Sequence, residues 1–258
     1  MNEQEQLLRF QNVIDQLIDP EKGCPWDKEQ TPVSMCEYLI EECHELVDAI
    51  RSGKPGHACD EMGDLLFVLL LMARRFELSG QFSLGDALKM GADKMVRRHP
   101  HVFGDGHEDS PESVLVSWEQ LKRREKGQNT VADSMDSVAR SLPSLWRAEK
   151  LQKKAAAAGF EWPDVQGALD KLEEEVAELR RAVENGGDVP DELGDVLFAA
   201  VKVGRFCGCD PEDAVNGTCE KFIHRFRAVE EGAAVRGREV SQLSLEEMTA
   251  LWNEAKRS

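Results

Sequence analysis

The stretch DEMGDLLF at residues 60–67 recurs, with two changes, as DELGDVLF at residues 191–198. Each copy sets acidic side chains directly before a run of large apolar residues. Such an apolar run favours a protein core, where an ionised carboxylate is costly unless a positive charge accompanies it. The repeated motif therefore predicts two packed helices whose acids lie next to the core and bind a positively charged partner.

Several other landmarks recur in the same order, which indicates an internal duplication. They are Gly-x-x-Trp-x-x-x-Gln at 23–30 and 159–166, IEECHEL at 40–46 with EEEVAEL at 173–179, DKMVRR at 93–98 with EKFIHR at 220–225, and Trp-x-x-x-Lys at 118–122 and 252–256. We therefore predict two tandem copies of one helical module, at residues 1–125 and 138–258. The polar, unpatterned segment at 126–137 is the predicted linker.

The spacing of the apolar residues is helical almost throughout. LLRFQNVIDQLI at 7–18 and ALDKLEEEVAELRRAV at 168–183 both place apolar residues on one face of a helix. Strand-like alternation is nearly absent. The sequence therefore predicts an all-α fold.

Net charge, apolar runs and cysteine content indicate which classes of protein this chain can belong to. The chain of 258 residues carries a net charge of −17, which argues against direct binding to nucleic acid but leaves open an anionic substrate met by metal ions or a local basic cluster. No apolar run approaches the roughly 20 residues that span a bilayer. The seven cysteines form no CxxC pair, and we interpret them as reduced thiols of a cytoplasmic protein with no membrane contact.

The acids of the second copy have the spacing of a metal site. Glu175 and Glu178 lie three residues apart on one helix face, as do Glu192 and Asp195 on the next helix. If the two faces meet, four carboxylates repel one another and raise one another's pKa values unless a cation lies between them. Mg²⁺, or Mn²⁺ in its place, is a hard ion that prefers oxygen ligands. The spacing therefore predicts a site for one of these ions.

The first copy repeats the same acid spacing. Its matching acids are Glu42, Glu45, Glu61 and Asp64. One position before the first ligand of each copy lies a further acid, Glu41 or Glu174, which suits a hydrogen-bond partner of the ligands or a base for water. We take Glu41, Glu42, Glu174 and Glu175 as the catalytic candidates.

Two other interpretations of the acids remain open from the sequence. Acid pairs at this spacing are most often a solvated helix face, although their repetition before an apolar run favours a metal. A di-iron bundle needs Glu-x-x-His on two helices. Glu41 and His44 supply that pattern once, and Ala177 breaks it in the second copy. His99 and His101, separated by a proline, are typical of loop structure more than of a metal site.

Basic and aromatic residues at repeated positions are candidates for phosphate and base contacts, because Lys and Arg bind phosphate and Trp offers a stacking surface. These residues are Lys94, Arg98, Lys221, Arg225, Trp252 and Lys256. The alternative, that they are ordinary surface or packing residues, stays open at this point.

Taken together, GCPWDKEQT, the EExxE and ExxD acids, RRHPHVF, KFIHRF and the closing LWNEAKR resemble the MazG nucleotide pyrophosphohydrolases over nearly the whole chain. The resemblance implies an all-α pyrophosphohydrolase fold, a homodimeric helix bundle and dependence on Mg²⁺. It also implies hydrolysis of nucleoside triphosphates, with broad base tolerance, to a nucleoside monophosphate and pyrophosphate. In that reaction a metal-activated water attacks the α-phosphorus.

The resemblance also assigns residues in the second copy. It gives the metal ligands as Glu175, Glu178, Glu192 and Asp195, and it places Lys171, Lys221, Arg225, Trp252 and Lys256 around the nucleotide. The chain departs from the family at Asp191, where relatives often carry Glu, and in the acidic segment NGGDVP at 185–190. Lys171 has Tyr38 as its counterpart, which favours the second copy as the stronger site, with two equal sites as the alternative.

Two other functions compete with this one. A helical regulatory or interaction module with one degenerate copy would also use acidic helices, although both copies keep their acids. A pyrophosphohydrolase of the same fold that acts on a single nucleotide is the third possibility. The spacing of the acids does not rank bases or sugars.

Overall fold

The computed structural model describes residues 2–256, which form thirteen α-helices, one short 3₁₀ helix and no strand. The α-helices are α1 (Glu3–Leu17), α2 (Pro25–Glu29), α3 (Cys36–Arg51), α4 (Pro55–Leu78), α5 (Leu84–Arg98), α6 (Pro100–Phe103), α7 (Pro111–Glu125), α8 (Val131–Asp136), α9 (Ser144–Ala157), α10 (Val165–Asn185), α11 (Val189–Phe206), α12 (Pro211–Val235) and α13 (Leu245–Ala255). The 3₁₀ helix is Val240–Gln242. The predicted all-α fold is confirmed.

The chain divides into two compact units, Met1–Glu119 and Gln120–Ser258. In the first unit, α3 and α4 form a helix hairpin, and α1 and α5 pack on α4. The core of this unit is made of Ile14, Ile18, Met35, Val68, Leu70 and Leu71. Burying each such side chain contributes about 1.5–3 kcal/mol. This core holds in place the hairpin that carries the first set of acids.

The second unit repeats this arrangement. Its helix hairpin is α10 and α11; α9 packs on α11, and α12 packs on α9 and α13. Gly186 ends α10 in the left-handed conformation, with φ of 72°, which glycine adopts without steric cost. Val229, Ala233, Leu243 and Leu251 form a buried cluster between α12, α13 and the 3₁₀ helix. The predicted duplication is thus visible as two equivalent hairpins.

A buried group of charges ties the loop before α10 to α11. Lys202 Nζ lies 2.9 Å from a carboxylate oxygen of Glu161, and the Arg205 guanidinium pairs with the other oxygen. The Lys202 side chain is only 8% exposed, and its Nζ lies 4.9 Å from the centroid of the Trp162 ring. Burial lowers the pKa of Lys202. This charged group holds the loop against α11, and the start of α10 is then capped by Asp164, whose side chain accepts hydrogen bonds from the Gln166 and Gly167 N–H groups.

The segment predicted as an unpatterned linker contains a helix. In α8, the Thr130 hydroxyl accepts a hydrogen bond from the Asp133 N–H, and the Asp133 carboxylate accepts one from the Thr130 N–H. Lys154 Nζ donates to Ser134 Oγ at 2.7 Å, which packs α8 on α9. The reciprocal cap starts a helix that polar composition hides. The compact second unit begins at Gln120, inside α7.

Two further predictions concern composition. No helix within residues 2–256 combines the length and the apolar character that crossing a membrane requires. All seven cysteines are free thiols, as predicted; Cys24 is partly buried and the other six are exposed.

Candidate metal centre

Three acids of the second unit converge where α10 faces α11. One carboxylate oxygen from each of Glu175, Glu192 and Asp195 lies within 4.8 Å of the other two. The turn spacing on α11 brings Glu192 and Asp195 to one face, and α10 supplies Glu175. Two ligands on opposite sides of Mg²⁺ are about 4 Å apart. Small side-chain rotations therefore suffice to bring all three oxygens onto one ion.

The first unit holds an equivalent group between α3 and α4. It consists of Glu42, Glu45 and Glu61, again with one oxygen from each within 4.8 Å of the others. Asp64 lies outside this trio, but its charge still acts on Glu42. Each unit thus brings together three of the four acids predicted as metal ligands.

In the second unit, the predicted acid outside the trio is Glu178. Its carboxylate pairs with Arg181, with 2.9 Å between Arg181 Nη2 and Glu178 Oε1. Sequence reasoning did not foresee this partner, although its signal was present, because residues three apart on a helix are neighbours. Binding of an ion through Glu178 Oε1 therefore competes with Arg181, whereas Oε2 has no partner in this pair.

Burial and like charges raise the pKa values of the clustered acids. Burial, followed by the charges of Glu178 and Asp191, raises the pKa of Glu192. Burial, followed by the charges of Asp64 and Glu45, raises the pKa of Glu42.

The Oε2 atom of Glu42 is buried without a hydrogen-bond partner. Both clusters consist of hard oxygen donors, which Mg²⁺ and Mn²⁺ prefer as ligands.

The raised pKa values predict how cation binding depends on pH. Protons compete with the cation for each carboxylate, so a carboxyl with a raised pKa begins to lose the cation at a higher pH than an ordinary one. We expect Mn²⁺ affinity to decline as the pH falls, beginning above the ordinary glutamate pKa of 4.5. Titrations with Mn²⁺ at pH 7, 6 and 5 measure this decline. Affinity that stays constant down to pH 4.5 contradicts the assignment.

Lys171 lies one turn before the metal group of the second unit. Its Nζ atom is 2.8 Å from an oxygen of Glu175 and 2.9 Å from an oxygen of Glu174. These two hydrogen bonds raise the pKa of Lys171 above its ordinary range, so the ammonium stays charged. The counterpart in the first unit, Tyr38, instead packs edge-on against Trp26 with ring centroids 5.3 Å apart.

Two of the predicted nucleotide contacts meet between α12 and α13. The Arg225 guanidinium carbon lies 5.7 Å from the centroid of the Trp252 ring, a distance at which cation and ring attract. The Phe222 ring lies 5.0 Å from the same tryptophan. Lys221 and Lys256 are exposed, and within residues 2–256 neither makes a side-chain hydrogen bond or ion pair. Both lysines are therefore available to an anionic ligand.

The predicted basic contacts of the first unit lie on α5, and the His99–His101 pair follows directly after it. Lys94 and Arg98 lie on α5 with partly buried side chains. His99 Nδ1 donates a hydrogen bond to the Met95 carbonyl oxygen, 2.7 Å away. Neither acid group found within residues 2–256 contains a histidine, which argues against the di-iron alternative.

The buried charges of Glu161, Lys202 and Arg205 were not foreseen either. One residue in the sequence points to this group of charges: Lys202, which lies inside the apolar run of α11. In the first unit the equivalent position is occupied by Leu71, which is fully buried. A single lysine in such a run is easily assigned to a helix edge, because its long stem can reach solvent.

The two hairpins that carry the acid groups also match a known domain. Residues 30–103 and residues 164–229 each match the family model described as the MazG nucleotide pyrophosphohydrolase domain. The chain belongs to the MazG family. One MazG domain lies in each unit, so the duplication is a duplication of this domain, and each copy contains one of the acid trios.

Similar proteins extend the match beyond the MazG domains. The nucleoside triphosphate pyrophosphohydrolase of Escherichia coli (strain K12) is 40% identical over 256 residues, which cover 98% of this chain and 97% of that protein. The nucleoside triphosphate pyrophosphohydrolase/pyrophosphatase MazG of Thermotoga maritima is 36% identical over 245 residues, which cover 95% and 93%. The uncharacterized protein YabN of Bacillus subtilis is 45% identical over 253 residues, but only 51% of that longer protein is covered.

Proposed function

We propose that this MazG protein hydrolyses nucleoside triphosphates to nucleoside monophosphates and pyrophosphate, with Mg²⁺ or Mn²⁺ as the cofactor. The observation that carries the proposal is the convergence of Glu175, Glu192 and Asp195 inside a MazG domain. Two full-length relatives named nucleoside triphosphate pyrophosphohydrolase support the reaction. Ribose and deoxyribose substrates with any of the bases are included in the proposal.

In this reaction the trio of acids would hold the ion, and Glu178 would supply a further carboxylate oxygen. Bound Mg²⁺ would neutralise phosphate charge and lower the pKa of a water that attacks the α-phosphorus. Glu174, next to Glu175 on α10, lies where it can accept the proton that the water loses. In the first unit, Glu41 has the same place beside Glu42.

The basic and aromatic side chains have separate tasks in substrate binding. Lys171, Lys221 and Lys256 supply point charges for phosphate oxygens, and the Arg225 guanidinium supplies a planar fork. The Trp252 ring offers a stacking face, and stacking tolerates every base because each has a π-face. Stacking on Trp252 suits a broad range of bases. The basic side chains offset the negative charge of a triphosphate that binds to an acidic protein.

The reaction is tested by incubating the protein with each nucleoside and deoxynucleoside triphosphate, with Mg²⁺ or with EDTA, and separating the products by ion exchange. We expect nucleoside monophosphate and pyrophosphate, only when the metal is present. Nucleoside diphosphate with phosphate would overturn attack at the α-phosphorus. No turnover of any nucleotide by the folded protein would favour the interaction-module alternative.

We also propose that the protein is a homodimer. The α10–α11 hairpin leaves large apolar side chains exposed, among them Val183 at 63% and Leu197 at 50%. Large exposed apolar side chains of this kind suit an interface, and a second copy offers the same surface. Light scattering on a sizing column is expected to give twice the chain mass of 28.9 kDa. A mass equal to one chain contradicts the dimer.

A further inference from the structure

The two units carry the same acids but differ in what accompanies them. In the second unit Lys171 Nζ lies 2.8 Å from Glu175 Oε1, and Glu175 is a buried member of the metal trio. A protein ammonium group therefore already binds one of the carboxylates that an incoming cation needs. Any ion that binds Glu175 through this oxygen must first displace Lys171.

The first unit has no such competitor. Tyr38, at the position of Lys171, is uncharged and turns its ring against Trp26. Within residues 2–256, Glu42, Glu45 and Glu61 make no ion pair with lysine or arginine, and the Oε2 atom of Glu42 is buried without a hydrogen-bond partner. The carboxylates of this trio are accessible to a cation without prior displacement.

Lys171 is able to leave Glu175 if another anion receives it. Its side chain is 35% exposed, and the four-carbon stem of lysine lets the ammonium move while the backbone of α10 stays in place. Leaving a pair with a buried carboxylate is costly unless both charges find new partners. A cation for Glu175 and a phosphate for Lys171 supply both partners in one event.

We propose that Lys171 is an internal competitor for the metal, so that the second unit takes up its cation together with the nucleotide, whereas the first unit takes it up alone. The inference rests on the proposed function, because it concerns the same acids. By thermodynamic linkage, the nucleotide increases metal affinity by the same factor by which the metal increases nucleotide affinity. Couplings of this kind are typically about 5- to 150-fold. Lys171 is therefore a positioning residue as well as a phosphate contact.

The test uses the full chain and measures Mn²⁺ affinity by electron paramagnetic resonance and calorimetry. Glu42→Gln with Glu61→Gln leaves only the second site, and Glu175→Gln with Glu192→Gln leaves only the first. Each form is titrated alone and with a triphosphate analogue whose α,β-bridging oxygen is replaced by methylene. We expect the analogue to strengthen Mn²⁺ binding about 10- to 100-fold at the second site, and less at the first.

The decisive variant is Lys171→Met in the form that keeps only the second site. Without the analogue, Mn²⁺ is expected to bind this variant about tenfold more tightly than it binds the form with Lys171. The further increase in Mn²⁺ affinity that the analogue causes is expected to be smaller. Lys171→Arg keeps a cation beside Glu175 and is expected to restore weak binding of the free ion. Lys153→Met is the matched control, because Lys153 forms the same i,i+4 pair with Glu149, at 2.7 Å, on α9.

The possible results separate the two proposals. If Lys171→Met binds free Mn²⁺ no more tightly than the parent, Lys171 does not compete with the metal, and metal-dependent hydrolysis stands unaffected. If Lys153→Met tightens binding as much, general charge explains the change and the competitor is again excluded. If Mn²⁺ binds at neither site even with the analogue, the proposed metal centre fails and the inference fails with it.

Discussion

Replacing Glu192 by Gln is expected to reduce hydrolysis at the site of the second unit about 10³-fold while leaving the metal-free protein as stable as the parent. Stabilisation by a catalytic metal amounts to several kcal/mol, which corresponds to a rate factor of this size. The pKa of Glu192 is raised by burial and by its acidic neighbours, so above pH 4.5 its ionised form opposes folding. Gln keeps the shape of the side chain and removes the repelling charge.

The measurement combines turnover of a triphosphate with urea unfolding in EDTA. Glu184→Gln is the control, because Glu184 lies on α10, is exposed and belongs to neither acid group. Glu61→Gln changes the equivalent acid of the first unit and is expected to retain most of the activity if the second unit dominates. A lower urea midpoint for Glu192→Gln would mean that this glutamate supports the fold, and the metal assignment of the hairpin would be wrong.

Replacing Glu161 by Gln is expected to destabilise the second unit by about 3 kcal/mol, because it leaves buried Lys202 and partly buried Arg205 without their shared carboxylate. The Lys202 and Arg205 side chains are only 8% and 15% exposed, so water replaces the lost partner only in part. Burial already lowers the pKa of Lys202. The loss is therefore greatest near neutral pH and shrinks as the pH rises towards the ordinary lysine value, where Lys202 can become neutral.

Urea unfolding followed by tryptophan fluorescence measures this loss, since Trp162 lies beside Lys202. Asp93→Asn is the control, because the pair of Asp93 with Lys89 is exposed and such pairs contribute about 0–1 kcal/mol. Adding Lys202→Leu to Glu161→Gln is expected to recover part of the stability, since the first unit buries Leu71 at that position. Equal unfolding midpoints for Glu161→Gln and Asp93→Asn would show that the buried charges contribute nothing.

The sequence predicted the features that depend on periodicity and repetition. The acids of each hairpin share helix faces at i,i+3 spacing, and the apolar runs that follow them form the helix packing that brings those faces together. Both facts follow from the pitch of an α-helix, so the convergence of Glu175 with Glu192 was foreseeable. The family resemblance was equally available, because its motifs are contiguous in the chain.

The features that the sequence did not predict depend on choices between partners of similar energy. Glu178 had both the metal group and Arg181 within reach, and the geometry of the side chains decides between them. The segment at 126–137 looked like a linker because the reciprocal hydrogen bonds of Thr130 and Asp133 are invisible in composition. Local capping of this kind contributes only about 1 kcal/mol, yet it decides whether a short helix begins.

The charges around Glu161 also bear on how the two halves of the gene can recombine. By the alignment of the repeats, Glu161 corresponds to Pro25 and Lys202 to Leu71, so each half has a compatible pair of its own. A crossover between these two positions yields one hybrid in which the buried lysine lacks its carboxylate. In the reciprocal hybrid, Glu161 lacks Lys202 but keeps an arginine, because Arg74 stands at the position of Arg205. The first hybrid carries the cost of an unpaired buried charge. Recombination between the two repeats in this direction therefore yields a less stable protein. Because such recombination would make the repeats alike, its absence lets the two halves diverge in sequence while they keep the same acids.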